Sequence, residues 1–185
     1  MDTKTVLRES EEKMKKTLEI VGQNLQNIRS GRANAGMVEN IRVDYYGTPT
    51  PLKQLANITI PDPKVLMIHP WDASAIKAVE KALNEANLGI TPIVDGKAIR
   101  MAVPSLTRER REELVKLVHK AAEEGRVSLR SIRRDANEKM KALEKEKKIT
   151  EDDSFKSQTD IQKLTDRYIQ SVDQTQASKE KELQS

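Results

Sequence analysis

The chain has 185 residues, of which 34% are charged and only 3% aromatic; it contains no cysteine and carries a formal net charge of +4. This length suits one domain or two small ones, and the shortage of aromatic residues favours an elongated helical protein over a compact β-rich core. The absence of cysteine excludes disulfides, thiolate nucleophiles and cysteine metal sites, whereas the modest basic excess permits nucleic-acid binding.

The first residues and the apolar runs indicate where the protein works. The chain starts MDTK and continues as a charged helix, which is unlike a secretory signal peptide. The longest unbroken apolar run, residues 65–68, is too short to span a bilayer. We therefore expect a soluble, cytoplasmic protein.

The first predicted element is a helix over residues 2–29. Gly31 follows it closely and can supply the left-handed residue that ends a helix. The apolar residues of this helix fall at heptad a and d positions, at Leu7, Met14, Leu18, Val21, Leu25 and Ile28. Because this stripe is one-sided, the helix needs partner helices.

Residues 33–104 have a different character, since all seven prolines of the chain lie there. The segment GTPTP at 47–51 predicts a rigid turn or an exposed loop, because proline cannot donate to a strand ladder. Asp72 is expected to cap a short helix. Alternating apolar residues predict three strands and a hairpin, at residues 41–45, 58–60, 65–68 and 93–103.

The longest predicted helix covers residues 107–148 and contains no proline. Thr107 is expected to cap its start. Such a helix would be about 60 Å long, and its narrow apolar stripe again requires partner helices. The stripe steps by three or four residues, through Leu114, Val118, Ala121, Gly125, Leu129, Ile132, Ala136, Met140 and Leu143.

A third helix is predicted from Thr150, where a capping-box-like sequence begins, and its apolar residues are Ile161, Leu164, Tyr168, Val172 and Leu183. The order of elements predicts an α+β fold. An elongated antiparallel three-helix bundle is expected from residues 1–30 and 105–185, with an inserted small β-rich α/β domain at 31–104. The two crossings between them predict a hinge at Ser30, Gly31, Pro104 and Ser105.

The usual signatures of catalysis are not found in the sequence. Neither His69 nor His119 stands in a triad or metal-ligand spacing. Gly96 and Lys97 are followed by Ala98, where a phosphate loop requires Ser or Thr. Helix capping explains the acidic run at 151–153 better than a metal site does. We expect no active site, no metal and no cofactor.

The basic residues of the long helix are more informative. Residues 107–148 contain 14 Lys and Arg against 9 Asp and Glu. Within them, four arginines occur in nine residues, at Arg126, Arg130, Arg133 and Arg134. Guanidinium groups match phosphate oxygens in pairs. The same pattern also suits a solvated face, with Glu123, Asp135 and Glu138 as intrahelical partners.

Six short motifs follow one another along the chain: IRSGRA at 28–33, YYGTPTPL at 45–52, LTRERR at 106–111, RSIRRDAN at 130–137, EDD at 151–153 and QKLTD at 162–166. In this order they make the sequence resemble the bacterial-type ribosome recycling factors over essentially its full length. The resemblance implies an L-shaped, hinged molecule of tRNA-like size, with a three-helix bundle and a smaller β-rich domain.

The resemblance also implies a function, that of a translation factor and not an enzyme. Members of this family bind the post-termination 70S ribosome and, with elongation factor G and GTP, split it into subunits, which releases mRNA and tRNA. The implied partners are large-subunit rRNA and elongation factor G. No cofactor, membrane or DNA is implied, and the chain is expected to be a monomer.

Three sets of residues correspond to functional positions of that family. The rRNA-binding set is Arg29, Arg32, Arg130, Arg133, Arg134 and Asn137. Candidate contacts of the protein partner are Tyr45, Tyr46, Gly47, Thr48 and Pro49. The hinge set consists of Ser30, Gly31, Pro104 and Ser105. Two other classes of function stay open on the residues alone: a non-catalytic helical adaptor that binds a protein partner through its bundle, and an enzyme with the insertion as its substrate domain.

Overall fold

The computed structural model describes residues 2–184, and the chain divides into two compact units. The helical unit consists of the chain up to Arg29 together with the chain from Arg108 onward, and the β-rich unit is Ser30–Thr107. We predicted two domains, one formed by residues 1–30 and 105–185 and the other by residues 31–104. That these two domains fold separately stays a prediction. Among the described residues, no helix combines the length and apolar character that crossing a membrane requires.

Three long helices form the helical unit: α1 (Thr3–Asn27), α3 (Arg108–Lys145) and α4 (Glu151–Gln184), each of which packs against the other two. Their directions follow from their contacts. Val6, near the start of α1, packs with Met140, near the end of α3, whereas Val21 approaches Gly125, so α1 and α3 are antiparallel. The predicted three-helix bundle is confirmed.

The ends of these helices differ in part from the prediction. Asp2 caps α1, since its carboxylate accepts a 2.8 Å hydrogen bond from the Thr5 N–H. However, α1 ends at Asn27, because the backbone of Ile28 is already extended. Gly31, at φ +73°, therefore bends the chain beyond the helix and does not cap it.

The turn between α3 and α4 is short and well bonded. Lys147 adopts a left-handed conformation at φ +57°, and the Lys148 N–H bonds the Leu143 carbonyl at 2.9 Å, so α3 ends three residues earlier than predicted. The predicted cap of α4 is confirmed, since the Thr150 hydroxyl accepts a 3.1 Å hydrogen bond from the Asp153 N–H.

The bundle core includes small polar residues that hydrophobic periodicity does not identify. Ser10, Ser154, Ser157 and Thr165 are buried, as is Ala122 in place of the predicted Ala121. The Ser10 and Thr165 hydroxyls each donate a 2.7 Å hydrogen bond to the carbonyl four residues earlier. Hydrogen bonding within the helix makes these hydroxyls compatible with the interior, and their small size lets the helices approach closely.

Close approach is most evident at Gly125, where α3 packs directly against Val21 of α1. A Cβ atom placed at Gly125 would overlap the Val21 side chain. Replacing Gly125 by alanine is therefore expected to lower the free energy of unfolding by about 1–3 kcal/mol through overpacking. The higher helix propensity of alanine, worth about 1 kcal/mol, offsets part of this loss.

Urea unfolding followed by far-UV circular dichroism would measure this change. The matched control is Gly22→Ala, since Gly22 lies inside α1 and, apart from its chain neighbours and the nearby backbone of its own helix, no heavy atom lies within 4 Å of the position of an added Cβ. That control should stabilise the protein by up to about 1 kcal/mol. If both variants were stabilised equally, close packing at Gly125 would not limit the bundle.

The β-rich unit contains two antiparallel sheets, one α-helix and three short 3-10 helices. Strands β1 (Arg42–Tyr45) and β2 (Thr48–Pro51) form a hairpin. A four-stranded sheet has the order β3-β4-β6-β5, and α2 (Ile76–Glu85) packs on β1, β5 and β6. The strands of the larger sheet are β3 (Ala56–Asp62), β4 (Val65–Pro70), β5 (Pro92–Asp95) and β6 (Ala98–Ala102).

The predicted strands are confirmed, and Asp72 caps the short 3-10 helix Ala73–Ala75 that leads directly into α2, which has no side-chain cap of its own. The prediction of a loop at 47–51 is wrong. Residues Thr48–Pro51 pair with β1, with Thr50 opposite Val43. Pro49 and Pro51 lie two residues apart, so both direct their ring nitrogens away from β1, where no ladder donor is needed. A two-stranded sheet has a free edge on that side, which is why proline is tolerated.

Both ends of the β-rich unit attach to the turn between β3 and β4. The Ala33 N–H donates to the Pro63 carbonyl at 2.8 Å, and the Val103 N–H donates to the neighbouring Lys64 carbonyl at 2.8 Å. The core of this unit draws only on residues 33–103. It therefore has a hydrophobic interior of its own.

Candidate nucleic-acid interface

The predicted arginines of α3 lie beside its buried stripe and not within it. Leu129, Ala136 and Met140 are buried in the bundle. Arg130 keeps 42% of its side chain exposed, and Arg134 is exposed. The second half of α3 thus presents guanidinium groups along one flank while its apolar residues hold the bundle together.

Arg126 belongs to the same run but has a structural role. Its side chain is only 18% exposed, and it donates hydrogen bonds to two residues of α4, to Asp173 at 2.5 Å and to Gln176 at 3.0 Å. It also contacts Glu123 on its own helix at 2.8 Å. The hydrogen bond with Glu123 first, and then that with Asp173, raise its pKa. Arg126 therefore connects α3 to α4.

Arg130 is held by the same glutamate. Its guanidinium donates a 2.9 Å hydrogen bond to Glu123, whose other carboxylate oxygen accepts from Arg126. Hydrogen bonds from Arg126 first and Arg130 second lower the pKa of Glu123. The solvated-face interpretation of the sequence is thus correct for the Glu123 pairings. It does not exclude binding, because Arg130 is substantially exposed.

The remaining predicted residues of α3 differ in their surroundings. Arg133 is half-buried and donates a 2.9 Å hydrogen bond to Gln162 of α4, which in turn donates to Asp166 at 2.8 Å. Asn137 is also half-buried, and its side-chain oxygen lies in the interior without a hydrogen-bond partner. Because an ionised phosphodiester offers only acceptor oxygens, any contact of Asn137 with phosphate would use its amide N–H donors.

Arg29 and Arg32 belong to different units. Arg29 is exposed just beyond the end of α1, in the helical unit, and Arg32 is exposed near the start of the β-rich unit. They are three residues apart in sequence, and the intervening chain contains the left-handed Gly31. The structure thus leaves both guanidinium groups accessible to an anionic partner.

The predicted hinge residues surround a close contact within the β-rich unit. A Cβ atom at Gly31 would lie 2.9 Å from the Leu106 side chain. Pro104 and Ser105 are exposed, and the Ser105 hydroxyl accepts a 2.8 Å hydrogen bond from the Lys64 ammonium group. Ser30 is half-buried. Glycine is required at position 31 both by its positive φ and by this neighbour.

The predicted partner-contact residues form the tip of the β1–β2 hairpin. Tyr46 and Gly47 both have positive φ, +50° and +80°, which is typical of a type I′ turn. Tyr46 is 80% exposed, and its ring lies edge-on to the ring of Tyr45, with 4.6 Å between the two ring centroids. Thr48 and Pro49 are exposed as well. The tip presents the aromatic ring of Tyr46 to solvent.

Contacts with the loop after β4 hold this tip in place, and the sequence did not predict them. The Tyr45 hydroxyl donates to Asp72 at 2.9 Å, and the Tyr46 hydroxyl lies 3.2 Å from that of Ser74. The neighbouring Trp71 is 69% exposed. Hydrogen bonds from Ser74 first, and then from Tyr45, lower the pKa of Asp72. The stabilisation they provide is therefore lost only as the pH falls through this lowered pKa.

The two histidines lie on the surface. His119 contacts Glu180 at 3.0 Å and Gln176 at 3.0 Å, both on α4, and His69 is exposed near the end of β4. Gln176 also accepts from Arg126, so His119 belongs to a polar network between α3 and α4. Its contacts are those of a residue that stabilises helix packing.

Comparisons with known proteins agree with this architecture. The family model of the ribosome recycling factor matches residues 21–183. The ribosome-recycling factor of Syntrophomonas wolfei is 53% identical over 97% of both chains, and that of Heliobacterium modesticaldum is 53% identical over 96% of both. A solution structure of the ribosome recycling factor has a TM-score of 0.73 at 40% identity, covering 100% of this chain and 98% of that one.

A second similar structure belongs to a set of models for the Thermus thermophilus ribosome recycling factor and the Escherichia coli elongation factor G bound to the E. coli post-termination complex. It has a TM-score of 0.65 at 43% identity and covers 99% of each chain.

Proposed function

The chain belongs to the ribosome recycling factor family, and from this premise we propose that it binds the post-termination ribosome and, together with elongation factor G and GTP, splits it into subunits. The split releases mRNA and tRNA for another round of protein synthesis. The observation that carries this function is the match over nearly the whole chain, with helical and β-rich units both included.

A member of this family is a non-catalytic translation factor. Hydrolysis of GTP belongs to elongation factor G, which accompanies the related Thermus thermophilus factor on the post-termination complex. Because the protein acts on the assembled ribosome, we infer that it functions in the cytoplasm. The contribution of this chain is to bind the ribosome and to help separate its subunits.

We propose that the rRNA contact uses Arg130, Arg133 and Arg134, with Asn137 beside them on α3. Exposure of Arg130 and Arg134 supports this assignment, as does the affinity of guanidinium groups for phosphate oxygens. Arg29 and Arg32 are proposed as a second anchor. Few aromatics are present to stack on bases, so the contact should read the RNA backbone and its shape.

The hairpin tip at residues 45–49 is proposed as a contact surface for elongation factor G. Exposed aromatic side chains with restricted motion are frequent anchors of protein interfaces. Tyr46 meets this description, because the Ser74 hydroxyl and the neighbouring Tyr45 ring restrain it. Ser30, Gly31, Pro104 and Ser105 are proposed as the hinge that allows the two units to move during splitting.

A sedimentation experiment tests the function directly. Purified protein is mixed with post-termination ribosomes, elongation factor G and GTP, and free subunits are quantified on a sucrose gradient. Subunits should accumulate only when this protein, elongation factor G and GTP are all present. Ribosomes that stay intact in the complete mixture would contradict the proposed function, and omission of each component in turn is the control.

A further inference from the structure

Glu123 lies at the centre of a chain of hydrogen bonds that extends from α4 to the exposed flank of α3. Its two carboxylate oxygens accept from different arginines, one from Arg126 at 2.8 Å and the other from Arg130 at 2.9 Å. The Arg126 side chain is 18% exposed and the Arg130 side chain 42% exposed. One carboxylate thus joins a largely buried guanidinium to a more exposed one.

The Arg126 end of this chain is attached to α4 by two hydrogen bonds. Asp173 and Gln176, both on α4, accept hydrogen bonds from Arg126, which restricts its guanidinium in position and orientation. Arg126 in turn restricts the Glu123 carboxylate. Through Glu123 and Arg126, the Arg130 guanidinium is therefore linked to residues of another helix.

The exposed end keeps capacity for a ligand. A guanidinium group has five N–H donors, and the contact with Glu123 uses a single N–H···O hydrogen bond. A side chain that is ordered before binding loses less conformational entropy when the ligand arrives. The Glu123 carboxylate and a bound phosphate would repel each other, and this repulsion opposes the gain. The neighbouring guanidinium groups of Arg126 and Arg130 reduce the repulsion.

We propose that Glu123 is a positioning residue for rRNA binding, which holds the Arg130 guanidinium in the orientation that accepts a backbone phosphate. This inference rests on the proposed function, since it requires that Arg130 contacts rRNA. A glutamate carboxyl is ionised near neutral pH at its ordinary pKa, and the hydrogen bonds from Arg126 first and Arg130 second lower the pKa of Glu123 further.

The test compares Glu123→Ala with Glu124→Ala in binding to purified large ribosomal subunits over a series of salt concentrations. Glu124 is the exposed neighbouring glutamate and makes no side-chain hydrogen bond or ion pair within the part of the chain that the structure describes. Both variants lose one negative charge. Loss of Glu123 should weaken binding about three- to tenfold despite the more favourable net charge, whereas loss of Glu124 should leave it equal or slightly stronger.

A double-mutant cycle separates positioning from a general loss of structure. In an Arg130→Ala background, removal of Glu123 should no longer weaken binding, because there is no guanidinium left to orient. A merely structural role of Glu123 would weaken binding to the same extent in both backgrounds. Thermal unfolding of each variant shows whether the bundle is intact.

Two outcomes would overturn the inference in different ways. If Glu123→Ala binds as tightly as the unmodified protein while Arg130→Ala binds weakly, the positioning role is wrong and the rRNA contact stands. If Arg130→Ala itself binds normally with an unchanged salt dependence, the rRNA contact of Arg130 is wrong and its positioning by Glu123 is wrong with it.

Discussion

Replacing Arg130 and Arg133 together by alanine is expected to weaken ribosome binding by about tenfold or more. Hydrogen bonds between charged groups contribute about 1.5–3 kcal/mol each, so the loss of two such contacts with phosphate is sufficient for that decrease. Each lost phosphate contact should also make the dependence of binding on salt concentration shallower by roughly one unit on a log–log plot.

The same double variant should keep its stability to within about 1 kcal/mol of the free energy of unfolding. Neither arginine lies in the buried stripe of α3, and their protein partners are Glu123 and Gln162, both exposed at the surface. A large decrease in affinity together with a small decrease in stability would identify the two residues as part of a binding surface.

Filter binding to large subunits at several salt concentrations would measure the affinity, and urea unfolding would measure the stability. The matched control replaces Lys116 and Lys120, two exposed basic residues elsewhere on α3, by alanine, which removes the same net charge. Equal losses of affinity in the two double variants would show that only the overall charge matters. Unchanged binding with an unchanged salt slope would mean that the arginines only solvate the helix.

Replacing residues 33–103 by a short Gly-Ser linker is expected to leave a folded helical unit that no longer splits ribosomes. The buried residues of the bundle all come from α1, α3 and α4, so the deletion removes none of that core. Ala33 and Val103 bond to adjacent residues of one turn, so the cut ends lie close together and a short linker can join them.

Circular dichroism and urea unfolding of the shortened protein should show high helix content and one cooperative transition. Its binding to large subunits should stay measurable because the α3 arginines are retained, whereas the sedimentation assay should yield no free subunits. A molten or unfolded product would contradict independent folding of the helical unit. Subunit release at the normal rate would contradict the proposed role of the β-rich unit as a contact surface for elongation factor G.

Most secondary structure could be predicted because its causes are local. Apolar residues at steps of three or four identify α3 without any knowledge of its partners, and Asp2, Asp72 and Thr150 cap helices through residues two or three positions away. Prediction failed at Thr48–Pro51, where proline excludes an interior strand but not a free sheet edge. Which of these two applies depends on what lies beside the strand.

The residues of the candidate site could be predicted from the sequence, but the hydrogen bonds among them could not. The density of arginines on α3 is visible in the sequence, and the motif at 130–137 points to the same residues. The sequence does not show that Arg126 connects α3 to α4 while Arg130 lies on the exposed flank, because both arginines stand in the same run with the same intrahelical partner. Only the hydrogen bonds of Arg126 to α4, about fifty positions further along the chain, distinguish the two.

The sequence by itself therefore determined three long helices, a β-rich insertion, a basic flank on α3 and, through its motifs, the family. Tertiary structure decided that Gly125 must remain glycine because Val21 of α1 lies against it, and that Ser154, Ser157 and Thr165 belong to the core. It also decided that Glu123 connects a largely buried arginine with a more exposed one. The physical reason is range: periodicity and capping act within one or two helical turns, whereas packing and side-chain networks depend on which distant residues the fold brings together.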